Sequence, residues 1–137
     1  MNNRKFGLAI GLAVAVFAPG ALADSISGDN NAVCASVNVV ACTDDGTCLQ
    51  GQAQTFDVPV FMFIDIEKSA IRTTGESDGD ATSTIKAKEI TEQSVILQGF
   101  ENHRGWTMAI DRSDGSMNLS STGPDVNFMI TGNCTVL

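Results

Sequence analysis

The side chains able to do chemistry are few and dispersed. The single histidine, His103, stands in Glu101-Asn102-His103-Arg104 between two apolar runs. As a general base it would need an orienting carboxylate and a nucleophile or metal close by in space. No G-x-S-x-G nucleophile motif occurs, and the serines fall in polar stretches or on solvent-facing strand positions. The plain reading of His103 is a solvated turn residue, and no catalytic residue is assigned. Asp78 and Asp80 with Glu76 nearby, or Asp44 with Asp45, could offer carboxylate oxygens to Ca²⁺, but neither stretch has the EF-hand loop with its terminal Glu. Met62, Met108, Met117 and Met129 with His103 are residue types that suit Cu(I). Three of those methionines fall on expected inward faces, where thioether packing is the ordinary use. No metal and no cofactor is expected.

Aromatic residues carry more information. Phe61 and Phe63 lie on the face opposite Val60, Met62, Ile64 and Ile66, so that strand is apolar on both sides. Such a strand is either buried on both faces or presents a patch or cavity mouth. Burial is the first expectation and a binding surface the second. Trp106 opens a run with its ring on the inward side, which suits core packing or the floor of a ligand pocket at a barrel end. Phe61, Phe63, Trp106 and His103 are therefore the candidate binding residues.

Strands must position these groups. Apolar alternation with period two dominates, and no window shows a sustained helical period. Val33, Ala35, Val37 and Val39 share one face of a first strand. Trp106, Met108 and Ile110 do so later, and Val126, Phe128 and Ile130 near the end. Turn residues recur about every ten positions, the mark of an antiparallel barrel or sandwich, here of about eight strands. Arg112-Ser113-Asp114-Gly115 as a loop pairs Ile110 with Met117. Thr122-Gly123-Pro124-Asp125 pairs Leu119 with Phe128, and Glu67-Lys68-Ser69-Ala70 lets Ile66 meet Ile71. Each register keeps apolar residues on one face.

The four cysteines, Cys34, Cys42, Cys48 and Cys134, show neither C-x-x-C nor zinc-ligand spacing. Asp-Asp-Gly between Cys42 and Cys48 suits a three-residue hairpin loop with Gly46 in the left-handed region. That register sets Cys42 opposite Cys48 on one face and leaves Cys34 to join Cys134, tying the first strand to the last. Two disulfides belong to an oxidising compartment.

The N-terminus agrees. Arg4 and Lys5, thirteen apolar-rich residues from Phe6 to Ala18, Pro19-Gly20 and then Ala21-Leu22-Ala23 form a secretory leader over 1–23, too short to span a bilayer. Removing 23 of 137 residues leaves 114, with all 16 acids and 6 of the 8 basic residues, a side-chain charge of −10. Scattered Lys and Arg exclude nucleic acid and an anionic membrane surface as partners. Residues 24–137 form one β domain, with 24–31 expected as a loose arm, and the mature chain has no membrane anchor. It is expected in the periplasm or outside the cell.

Ile96-Leu97-Gln98-Gly99, Gly105-Trp106, Ile110-Asp111, Asp114-Gly115 and Gly132-Asn133-Cys134-Thr135 together resemble the layout of a group of small exported bacterial proteins. The resemblance spans nearly the whole mature chain and implies export and four cysteines, but no substrate or site. C-type lysozyme-inhibitor barrels are similar in size and strand content, yet this chain has no tyrosine and neither Ser-Gly-Ala-x-Tyr nor Trp-x-Lys-Gly. The function expected is a non-catalytic binding or interaction module for an envelope or extracellular ligand or protein. An inhibitor of a cationic hydrolase such as lysozyme is the alternative, motivated by charge. A small hydrolase or metal-dependent enzyme around His103 comes third.

Overall fold

A computed structural model describes residues 25–75 and 79–137. The leader expected over 1–23, residue 24 and the acidic positions Glu76 and Asp78 lie outside the described residues. Among the described residues nine strands follow in order: β1 (Ala32–Thr43), β2 (Cys48–Gly51), β3 (Phe61–Asp65), β4 (Ala70–Gly75), β5 (Gly79–Ile90), β6 (Ser94–Glu101), β7 (Arg104–Asp111), β8 (Ser116–Thr122) and β9 (Val126–Val136). A single 3₁₀ turn, Ala53–Phe56, lies between β2 and β3.

Strands β3 to β9 form an antiparallel meander, and β1 pairs with both β3 and β9, so eight strands close into a barrel. The lower half of β1 takes β3 as its neighbour on one edge (Ala32↔Ile64 to Ala35↔Phe61). Its upper half takes β2 on the same edge (Val39↔Gly51 to Cys42↔Cys48). The interior is filled by buried Val39, Met62, Ile64, Val95, Leu97, Met108, Ile110, Met117 and Ile130. Closure leaves no long open edge, and period-two alternation sends these residues inward.

Both disulfides form as the sequence suggests, Cys34–Cys134 and Cys42–Cys48. Gly46 has φ +85°, and Thr43 N–H donates to the Thr47 carbonyl, which closes the short hairpin in the expected register. Asp45 braces it, accepting from the Thr43 hydroxyl (2.7 Å) and the Thr47 N–H (2.9 Å). These two bonds, the hydroxyl first, hold the Asp45 carboxyl below the ordinary carboxylate range. Strands β3 and β7 both end in Ile-Asp for one physical reason. The carboxylates of Asp65 and Asp111 accept from the backbone N–H of Lys68 and Ser113 in the turns that follow.

The expected inward face of β1 is corrected. A bulge at Val37, between Ser36↔Gly132 and Asn38↔Thr131, switches the phase of the strand. Ala32, Cys34 and Ser36 point inward below it and Val39 above it, while Val37 is exposed. Two hairpin registers are also corrected. Leu119 pairs with Ile130 rather than Phe128, and Ile71 with Ile64 rather than Ile66. Each differs from expectation by two residues, so the inward face is preserved. Ile110↔Met117 is as expected.

The arm over 25–31 is not loose. Ile26 is buried in the barrel core cluster, and its carbonyl accepts from Arg112 Nε (3.2 Å). Lys88 Nζ donates to the Gly28 carbonyl (3.1 Å) and pairs with Asp29 (3.5 Å). Asn31 Oδ1 accepts from Ile66 N–H, and the Asn31 carbonyl from Leu137 N–H. One apolar side chain and five contacts from four distant residues, Ile66, Lys88, Arg112 and Leu137, fix the arm across the barrel end where β1 begins.

Candidate functional site

The opposite end is built differently. It gathers the β1–β2 hairpin, the β2–β3 linker, the β6–β7 turn and the β8–β9 turn, and between them lies a half-open cavity of about 260 Å³. Phe56, Val58 and Pro59 of the linker form one wall. Met62 and Ile71 supply the floor from β3 and β4, and Trp106, Leu119, Phe128 and Ile130 close the far side. Thr73, Ser83 and Ser121 add hydroxyls, and Asp57 and Glu101 add carboxylates.

Local backbone chemistry sets the linker wall. Ala53 is buried, Val58 N–H donates to the Ala53 carbonyl (3.0 Å), and Asp57 takes the left-handed conformation that ends the 3₁₀ turn. Ser36 N–H donates to the Val60 carbonyl (2.8 Å), which pins the linker where it enters β3. The Phe56 ring lies against Gly51 of β2, so the wall is seated on the short strand.

Trp106 is the central residue of the mouth. It is half-buried, and its Nε1 donates to Ser83 Oγ (2.9 Å), across the intervening strand β6. The indole passes directly over Gly99, its cross-strand partner on β6. A Cβ at Gly99 would stand 2.2 Å from the ring, closer than any real contact. Leu97-Gln98-Gly99 and Gly105-Trp106, two separate fragments in sequence, are therefore two halves of one contact. Trp106 packs against the core cluster and also forms a wall of the pocket.

Arg104 shapes the other side. Its guanidinium donates to Ser121 Oγ (3.1 Å), to the Ser121 carbonyl (3.3 Å) and to the Val126 carbonyl, and it lies 5.2 Å from the centre of the Phe128 ring. These bonds hold the β8–β9 turn beside the cavity. Glu101 stands directly opposite Arg104 in the β6–β7 register, yet among the described residues no ion pair joins them.

The remaining candidates lie elsewhere. Phe61 is exposed on the outer surface of β3, and Phe63 beside it is half-buried with the Arg72 guanidinium 5.7 Å from its ring centre. The first expectation, burial on both faces, is thus corrected. Closure of the barrel gives β3 only one buried side, and among the described residues no second layer covers the other. His103 is exposed in the two-residue β6–β7 turn with φ +62°, following Asn102 at +47°, the pair of positive angles such a hairpin needs. Met62, Met108 and Met117 are buried inside the barrel and Met129 is exposed outside it, so the four sulfurs do not converge. Among the described residues no group of three His, Cys, Asp or Glu side chains lies where it could hold a metal ion.

Of the expected binding residues, the pocket takes Trp106 alone. Phe56, Val58, Ser83 and Phe128 are pocket residues that the sequence did not single out as such. Phe128 carried a signal, being an inward residue at the start of its strand; the linker residues carried none. Neither protein-family models nor curated protein sequences give a match to this chain.

Proposed function

We propose that the protein is an exported, non-catalytic binding module that holds a small, largely apolar molecule in the mouth of its barrel. The observation carrying this reading is the half-open apolar cavity of about 260 Å³ at one barrel end, against the Ile26 plug at the other. Small eight-stranded barrels have an interior just large enough for side chains or one small ligand, and pockets of this kind pair apolar walls with a few polar groups. The two disulfides favour an oxidising compartment, which agrees with the leader read in the sequence.

Trp106 makes the test direct, because the chain has one tryptophan and no tyrosine. Titration with 4-phenylbutanol should change the Trp106 emission saturably, with one site per chain. A response that stays linear to the solubility limit contradicts the reading.

Inhibition of a cationic hydrolase is the second reading, favoured by acids at this same end: Asp44 and Asp45 in the β1–β2 hairpin, Asp57, Glu101, and Asp125 in the β8–β9 turn. Lysozyme activity unchanged by excess protein at low salt removes it.

A further inference from the structure

Among the described residues, the charged groups lining the cavity are the carboxylates of Asp57 and Glu101, and no Lys or Arg lines it. Arg104, opposite Glu101 in register, turns its guanidinium to Ser121, the Val126 carbonyl and the Phe128 ring, and among the described residues it forms no ion pair with Glu101. Ser83 Oγ accepts from Trp106 Nε1 and Ser121 Oγ from Arg104 Nε, so both hydroxyls are held by the scaffold and keep an O–H to donate. The charged groups of the polar edge are carboxylates, which can only accept hydrogen bonds. Asp44, Asp45 and Asp125 on neighbouring loops extend the negative field around the opening.

From this we infer that the ligand is an organic cation: an apolar body seated among Phe56, Met62, Trp106 and Leu119, and a protonated amine or similar N–H-bearing head at Glu101, with Asp57 on the same edge. The inference rests on the binding function proposed above and adds the chemical class of its ligand. A bonded ammonium–carboxylate contact at a partly desolvated rim is stronger than a neutral one, and an anionic head would meet repulsion instead.

The test compares three probes with one body, 4-phenylbutylamine, 4-phenylbutanol and 4-phenylbutyrate, each followed by Trp106 emission near pH 7 where the amine is protonated and the acid ionised. The amine should bind most tightly, roughly tenfold better than the carboxylate. Glu101→Gln, isosteric and at the rim, should bring the two to within about threefold. Asp57→Asn keeps a residue that tolerates the left-handed backbone and provides a second variant, expected to narrow the ratio less. Thermal melts of both variants check that they are folded. If the alcohol binds but the amine is no tighter than the carboxylate, the cationic head is overturned while the binding module stands. An amine preference that survives in both variants overturns the placement of the head. If no probe changes Trp106 emission saturably, the binding module fails and this inference with it.

Discussion

The two ends of the barrel are made from the same strands and solve opposite problems. At the base, one buried isoleucine, two cations and an asparagine tie the arm to the β3–β4 turn, β5, the β7–β8 turn and the C-terminus, and the disulfide nearest that end, Cys34–Cys134, lies inside. At the mouth, the chain folds back as a linker whose aromatic and aliphatic side chains line a space instead of filling it, and the disulfide there, Cys42–Cys48, is largely solvent-facing. The base concentrates stability and the mouth leaves apolar surface unpaired. Unpaired apolar surface is costly in water, and its gathering in a concave space at the mouth is the feature on which the proposed binding function rests.

The contrast can be broken from either side. Replacing Cys34 and Cys134 with Ala should have the largest effect, because the bridge spans 100 residues; the loop-entropy model gives roughly 4–5 kcal/mol, readable as a lower urea midpoint. Ile26→Ala should cost about 2–4 kcal/mol by the same measurement and leave probe affinity at the mouth nearly unchanged. Equal loss of binding and stability would show that the ends are not independent. Gly99→Ala should cost about 1–3 kcal/mol, since Trp106 must leave its place over β6, and the Trp emission should shift as the ring loses Ser83. Removing Cys42–Cys48 should cost at most about 2 kcal/mol because its loop is short, yet weaken probe binding by loosening β2 and the Phe56 wall. Selective reduction of this exposed bridge by a mild thiol would give the same outcome without substitution.

Acid should produce the smallest effect. Hydrogen bonds hold the carboxyls of Asp45, Asp65 and Asp111 below their ordinary values: from Thr43 and Thr47 to Asp45, from Lys68 to Asp65, and from Ser113 to Asp111. A carboxyl depressed in the folded state contributes stability above its unfolded value, about pH 4, and loses it as pH falls through the lower folded value. Melting temperature should therefore decline below about pH 4. Asp45→Asn, at the mouth hairpin, should flatten that decline slightly.

Much of the barrel was legible in the sequence, because inward apolar residues recur at every second position in strands such as β7 and β8. Cys42-Thr43-Asp44-Asp45-Gly46-Thr47-Cys48 disclosed its own register, since loop length, Gly46 and the two sulfurs permit one arrangement. The Val37 bulge was hidden because Val33, Ala35, Val37 and Val39 alternate without fault, and only the pairing with Gly132 and Thr131 forces the extra residue. The packed arm was hidden because one isoleucine among polar residues has no period. The pocket was the least legible part. Its walls come from a linker without alternation and from Gly99 under Trp106, a contact visible only once β6 and β7 are paired. Phe61 and Phe63 misled for the complementary reason: in β3 the outer face is as apolar as the inner, and sequence cannot say which face a barrel turns to water.

Backbone amide NMR during titration with 4-phenylbutylamine tests the central claim most directly, because it reports on both ends at once. Shift changes should concentrate at Phe56–Val58, Gly99, Glu101, Ser121, Phe128 and the Trp106 indole N–H, with Ile26–Asp29, Lys88 and Arg112 unmoved. Changes centred on the arm, or on the outer surface at Phe61 and Phe63, would contradict the account.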